Sequence, residues 1–228
     1  MKHYALIGCP LGHSASASYF SKKFLTEAID ADYTLCELEE ITQVETLRGN
    51  LHGMNVTIPY KKAIIPFLAS ISREAESVGA VNCVKFDATG AMHGYNTDVE
   101  GIRATLAPFG DLRGKRALVL GSGGAAAAVL YVLNEAGVEC CTVSRSADKG
   151  DITYEQISAE VIRQHELIVN ATPIGMYPHI NEAPQLPYEA IGAHHILFDL
   201  IYNPDPTEFL LRGAANGART VGCPHMRC

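Results

Sequence analysis

The stretch that most constrains this 228-residue chain is Leu118-Val119-Leu120-Gly121-Ser122-Gly123-Gly124-Ala125-Ala126, where an apolar run breaks into glycines and resumes as small residues. Residues 116–120 have the continuous apolar character of a strand buried on both faces, and residues 125–136 predict a small-residue helix closed by Gly137. A strand, a glycine turn and a helix in that order bring backbone close to a pyrophosphate. Gly121 permits the tight turn and Gly123 leaves room for phosphate oxygens. From Gly124 and Ala125 onward the helix start offers unpaired N–H donors and the positive end of its dipole. Ala126 lets helix and strand pack closely. Gly121, Ser122, Gly123, Gly124 and Ala125 are therefore candidate contacts to a dinucleotide.

The rest of the second half keeps the same rhythm. Strands are predicted over residues 138–144, 167–170 and 196–200, with a helix over 154–164, which implies a parallel sheet covered on both faces. The first half differs. It predicts a strand over 3–8, a helix within 14–28 capped by Ser16 or Ser18, and a strand over 33–38. A connection over 39–50 holds one helical turn, and a strand over 54–58 stops at Pro59. A short helix over 61–68 and a hairpin over 80–95 around Asp87-Ala88-Thr89-Gly90 complete it. A helix opens at Thr97-Asp98-Val99-Glu100 and ends before Pro108. The expected fold class is α/β: an N-terminal α/β domain over residues 1–100, a Rossmann-like doubly wound parallel-sheet domain over 101–222, and an atypical tail over 223–228.

The end of the second strand of the glycine unit selects the cofactor. An NAD enzyme tends to carry Asp or Glu there for the ribose 2′-hydroxyl, whereas this chain has Ser144-Arg145-Ser146, with Lys149 close behind. A guanidinium flanked by hydroxyls suits a 2′-phosphate through charge-assisted hydrogen bonds, which points to NADP. Asp148 and Asp151 nearby oppose it.

A net charge of -7 argues against a nucleic-acid partner. No apolar run approaches the roughly 20 residues of a membrane span, and the opening residues do not form a secretory leader. Seven cysteines without repeated spacing are no disulfide framework, so a cytoplasmic location and a small-molecule substrate are expected. Cys223, His225 and Cys228 make a poor zinc set, and no metal is expected.

Four polar clusters in the first half have no packing rationale: Gly12-His13-Ser14-Ala15-Ser16, Asn55-Val56-Thr57-Ile58-Pro59-Tyr60-Lys61, Gly79-Ala80-Val81-Asn82 and Gly94-Tyr95-Asn96-Thr97-Asp98. Together with Asn170-Ala171-Thr172-Pro173-Ile174-Gly175-Met176 and Asp199-Leu200-Ile201-Tyr202-Asn203-Pro204, they make the chain resemble the shikimate dehydrogenase family up to about residue 220. The resemblance implies reversible NADP-dependent oxidation of shikimate to 3-dehydroshikimate, within chorismate and aromatic amino acid biosynthesis, with residues 1–100 as the substrate-binding catalytic domain. It implies that Ser14, Ser16 and Tyr202 hold the substrate carboxylate, that Thr57, Asn82 and Asp98 bond the ring hydroxyls, and that Lys61 and Asp98 form the acid/base pair. It also sets Leu200 and Gly222 beside the nicotinamide, with Thr172 a lesser contact. Each residue has a plainer alternative: Thr97 and Asp98 as a helix start, Ser14 and Ser16 as caps, Lys61 as a solvated cation, Tyr202 as core, Asn82 as a turn residue. For His13 a local structural role is expected, and for Tyr60 and Tyr95 packing.

The sequence departs from the family pattern at Ala17, where a Pro commonly follows the serines, and after Gly222, where the family continues with an apolar helix. Cys223-Pro224-His225-Met226-Arg227-Cys228 is no such helix, and weaker substrate binding or a self-association surface is the expectation, a homodimer included. Two alternatives stay open: a quinate/shikimate dehydrogenase of broader specificity, and a catalytically impaired NADP-binding protein lacking the C-terminal helix.

Overall fold

The computed structural model describes residues 1–12, 14 and 16–223; the readings on His13 and on the last five residues lie outside the described residues. The chain divides into two compact units, Met1–Thr97 and Asp98–Cys228.

The first unit runs β1 (Lys2–Gly8), α1 (Ser16–Thr26), β2 (Ala31–Glu37), β3 (Gly53–Val56), α2 (Tyr60–Ala63), β4 (Ser70–Ile71), α3 (Arg73–Val78), β5 (Cys83–Phe86) and β6 (Met92–Tyr95). Its sheet order is β2-β1-β3-β5-β6-β4. β1 lies parallel to both β2 and β3, and the predicted hairpin appears as the antiparallel pair β5 and β6. Ala5, Ile7, Met54, Val56, Val84 and Met92 form the centre of its core. α3 falls outside the elements that the hydrophobic pattern predicts, although both ends carry local signals. The Ser72 side chain accepts from the Ala75 N–H, and Gly79 closes the helix in the left-handed region.

The second unit runs α4 (Asp98–Leu106), β7 (Arg116–Leu120), α5 (Gly124–Glu135), β8 (Glu139–Ser144), β9 (Ile152–Thr153), α6 (Ala159–Arg163), β10 (Leu167–Asn170), β11 (Ile196–Asp199), α7 (Glu208–Ala215) and β12 (Arg219–Val221). Its six strands, ordered β12-β11-β10-β7-β8-β9, are all parallel, as the buried apolar runs require. Leu118, Val119, Leu120, Ile168, Val169, Leu197 and Phe198 are all wholly buried. α7 comes so close to β11 that a Cβ on Gly213 would meet Leu197 at 2.2 Å.

The two compact units meet between Thr97 and Asp98, beside the boundary expected at residue 100, and α4 goes with the second unit: Arg103 pairs with Glu135 on α5. One expectation needs correction. The single helix expected over 154–164 is broken into a 3-10 turn at Tyr154–Gln156 and the short α6. Ser158 starts the second piece by accepting the Val161 N–H at 3.3 Å. A hydroxyl that satisfies orphan helix donors there favours a boundary over continuation.

His195 is wholly buried just before β11. The Gly192 N–H donates to its Nδ1 at 2.9 Å, so Nε2 carries the proton and donates to Ile162 O at 3.1 Å. Burial, more than neighbouring His194, lowers its pKa from 6.5, against the pull of the Ile162 and Gly192 carbonyls and Glu166. A folded pKa below the unfolded one gives stability that is fully present above about pH 6.5 and lost as pH falls through that value toward the folded pKa. Urea midpoints of the wild type should therefore drop below about pH 6.5 more steeply than those of His195→Gln, whose side chain does not titrate.

Candidate active site

In the first unit the candidate residues collect at one edge of the sheet, where the parallel strands β1, β2 and β3 end. β1 finishes at Gly8, and the Thr57 N–H donates to Ile7 O at 2.9 Å. A Cβ on Gly8 would lie 2.5 Å from the Thr57 methyl, so only glycine lets Thr57 settle over the end of β1. The loop after β1 is held from β2, since the Leu11 N–H donates to the Glu37 carboxylate. Its next turn brings Ser14, whose N–H donates to Leu11 O at 2.9 Å and whose hydroxyl accepts the Ser16 N–H at 3.2 Å. The Ser14 hydroxyl thus serves the start of α1.

Lys61 and Asn82 reach the same edge from the other side of β3. The Val56 N–H donates to Asn82 O at 2.8 Å and the Val81 N–H to Lys61 O at 2.7 Å, which fixes the two backbones beside each other. Asn82 is buried, and its Oδ1 accepts both the N–H and the hydroxyl of Thr97, at 2.8 and 3.2 Å. This long-range contact orients the Asn82 amide, and it gives the Thr97 hydroxyl a purpose that the capping pattern alone did not suggest. Lys61 is half-buried on α2, directly after Tyr60, whose buried hydroxyl donates to Leu38 O at 2.7 Å. Tyr60 is the packing residue expected, while Tyr95 is 41% exposed and is not.

In the second unit Asp98 opens α4 and is buried, where the positive end of a nine-residue helix favours a carboxylate. Tyr202 is 43% exposed on the loop after β11, which excludes the core alternative.

The glycine turn has the geometry its sequence demands. Gly121 has φ +113, and a Cβ there would meet Ala171 O at 3.0 Å and the Thr172 methyl at 3.2 Å. Its N–H donates to Val143 O at 2.8 Å. A Cβ on Gly123, at the N-cap of α5, would meet nothing within 4 Å. A backbone pinned at Gly121, with open space before a helix start at Gly123, is the form that a pyrophosphate cradle takes, so the residues present fit a dinucleotide. Beside it lies a cavity of about 320 Å³, lined in part by Ser122, Gly123, Thr142 and Lys149.

At the end of β8, Ser144 is buried, with its hydroxyl 3.4 Å from that of Ser122 and accepting the Ser146 N–H at 3.3 Å. Arg145 and Lys149 are exposed. The two acidic neighbours are already engaged. Asp151 accepts the Thr142 N–H at 2.7 Å, and Asp148 accepts the Ser146 hydroxyl, which holds its pKa below the usual carboxylate range with help from Lys149.

Sequence reasoning assigned no role to Asn170, Asp199 or Thr207, and the structure makes them one wholly buried network. Asn170 Oδ1 accepts the N–H and hydroxyl of Thr172 at 3.1 and 2.6 Å, while its amide nitrogen lies 3.2 Å from both Asp199 oxygens. Asp199 also accepts the Ile201 N–H at 2.9 Å and the Thr207 hydroxyl at 2.6 Å. The loops carrying Thr172 and Leu200 to Tyr202 are fixed to each other in this way. Burial raises the Asp199 pKa, and the three donors oppose that rise. A polar residue closing a buried strand, as Asn170 and Asp199 both do, is the signal that marks them. Gly222 also serves the close approach, since a Cβ there would lie 2.8 Å from Asp205 Oδ1.

Among the described residues no group of three or more His, Cys, Asp or Glu could hold a metal ion, and no helix is long and apolar enough to cross a membrane. Gly121→Val should destabilise the fold by about 1–3 kcal/mol, because the positive φ and the Ala171 carbonyl leave a side chain no relaxed position. A denaturant titration would measure the loss, and an unchanged midpoint would contradict the geometry.

Comparison with known proteins follows the same division. Residues 6–84 match the family described as the shikimate dehydrogenase substrate binding domain. The shikimate dehydrogenase (NADP(+)) of Carboxydothermus hydrogenoformans is 34% identical over 235 residues, covering 95% of this chain and 84% of that protein. Shikimate 5-dehydrogenase from Thermus thermophilus, in complex with NADP(H) and shikimate, is similar in structure, with a TM-score of 0.85 and 30% identity over 97% of this chain and 87% of that one. Quinate dehydrogenase from Corynebacterium glutamicum, in complex with NAD, has a TM-score of 0.86 and 26% identity over 96% of this chain and 86% of that one.

Proposed function

The chain belongs to the shikimate dehydrogenase family, and from that premise we propose that it catalyses the reversible, NADP-dependent oxidation of shikimate to 3-dehydroshikimate in the cytoplasm. The observation that carries this reading is the likeness to NADP-dependent relatives along nearly the whole chain. The residue chemistry supports it. Ser14 and Ser16 offer hydroxyl and backbone donors to a carboxylate, and the exposed phenol of Tyr202 adds another. Thr57 and Asn82 bond the ring hydroxyls, with Thr97 keeping the Asn82 amide in one orientation. Lys61 and Asp98 are the acid/base groups.

As hydride leaves the carbinol carbon, the hydroxyl proton must leave too. A positioned amine or carboxylate at that oxygen lowers the barrier, and in the reverse direction an ammonium stabilises the developing alkoxide. Bound NADP+ supplies the hydride acceptor. Gly121 to Ala125 receive its pyrophosphate, and Arg145 with Lys149 its 2′-phosphate.

A second reading, a quinate/shikimate dehydrogenase of broader specificity, draws on the likeness to the quinate enzyme; Arg145 in place of an acidic residue speaks against its NAD-using form. One assay separates the readings: NADPH or NADH formation with shikimate or quinate, for the wild type and Lys61→Ala. The expected result is turnover with shikimate and NADP+, reduced roughly 100-fold or more in Lys61→Ala. Turnover equal with quinate would favour the broader enzyme. No turnover alongside measurable NADP+ binding would overturn the enzymatic reading, and full activity in Lys61→Ala would remove Lys61 from the chemistry.

A further inference from the structure

Asp199 is a buried carboxylate that the chemistry above does not use, at the carboxyl end of β11. Its hydrogen-bond partners are the Asn170 amide, the Ile201 N–H and the Thr207 hydroxyl, which are all uncharged donors, so the group they best satisfy is an ionised carboxylate accepting from every side. Among the described residues, the charged neighbour that acts on it is another carboxylate, Asp205, which raises its pKa further. An ionised Asp199 would be a negative charge held inside the unit by neutral dipoles, against the cost of burial.

Its location follows from the strand order. β7, which leads into the Gly121 turn, has β8 on one side and β10 then β11 on the other. A dinucleotide with its pyrophosphate at that turn and its 2′-phosphate at Arg145, beyond β8, must send its other half over the ends of β10 and β11. Those ends are Asn170 and Asp199. The redox-active ring is positively charged when oxidised and neutral when reduced. A fixed anion at the end of β11 would therefore distinguish the two forms, and in a water-poor interior that discrimination would not be screened away.

We propose that Asp199 is a positioning residue that also acts electrostatically, its carboxylate, held by Asn170, Ile201 and Thr207, biasing the site toward the oxidised nicotinamide ring over the reduced one. This rests on the NADP-dependent function proposed above. A purely structural Asp199 would affect both cofactor forms alike, so the ratio of their affinities is the informative quantity.

The test is calorimetric titration of NADP+ and NADPH into the wild type, Asp199→Asn and Thr207→Ser. Asp199→Asn should raise the dissociation constant of NADP+ relative to that of NADPH by roughly threefold to tenfold. Thr207→Ser, which keeps the hydroxyl donor to Asp199 and removes only a methyl group, should leave the ratio of the two constants unchanged. If Asp199→Asn does not fold by circular dichroism, Asp199→Ser removes the same charge with a smaller side chain and carries the same expectation. A wild type that binds both forms, with an unchanged ratio in the neutral variant, overturns this inference and leaves the proposed function standing. A wild type that binds neither form overturns both.

Discussion

The second unit depends on the backbone at Gly121. Its N–H is bonded to β8 through Val143 O, and its α-carbon sits against the Ala171 carbonyl at the end of β10, so the turn is pinned to the strands on both sides of β7. Only a residue without Cβ takes φ +113 in that space. α5 therefore begins where its free N–H groups face the strand ends, and the positive dipole end of the helix comes with them. The arrangement of Ser144, Arg145, Thr172 and Asp199 around those strand ends follows from parallel pairing, which puts every carboxyl end on the same edge of the sheet.

The first unit reaches a similar result by other means. Three parallel strands end together, and Gly8 gives the space that lets Thr57 lie across β1. β5 then runs antiparallel to β3, so the residue before its start, Asn82, arrives at the same edge where β3 finishes. Ser14, the Thr57-to-Lys61 segment and Asn82 are far apart in sequence, and the parallel and antiparallel pairings of one sheet collect them.

How much of this was legible in the sequence depended on the range of the interaction. The glycine turn, the buried strands beside it and the β5 and β6 hairpin follow from near neighbours and stand as expected. The glycine-ended α3 and the break at Ser158 also rest on local capping, but each is a short signal in a stretch where apolar periodicity points elsewhere. The roles of Thr97, Asn170 and Asp199 were not legible. Thr97 reads locally as a helix cap, and its partner Asn82 is 15 residues away. Asn170 and Asp199, 29 residues apart, meet because β10 and β11 are adjacent and in register. The residues of the sequence motifs were easier to foresee than the hydrogen bonds that hold them.

Above all, the Gly121 turn and the Arg145 cation should make this chain a receptor for a dinucleotide carrying a 2′-phosphate. The most direct measurement is the pair of dissociation constants of the wild-type protein for NADP+ and NAD+ at moderate ionic strength. Charge-assisted hydrogen bonds to the phosphate should make NADP+ bind about tenfold more tightly, or better. NAD+ binding as tightly as NADP+ would contradict that role for Arg145.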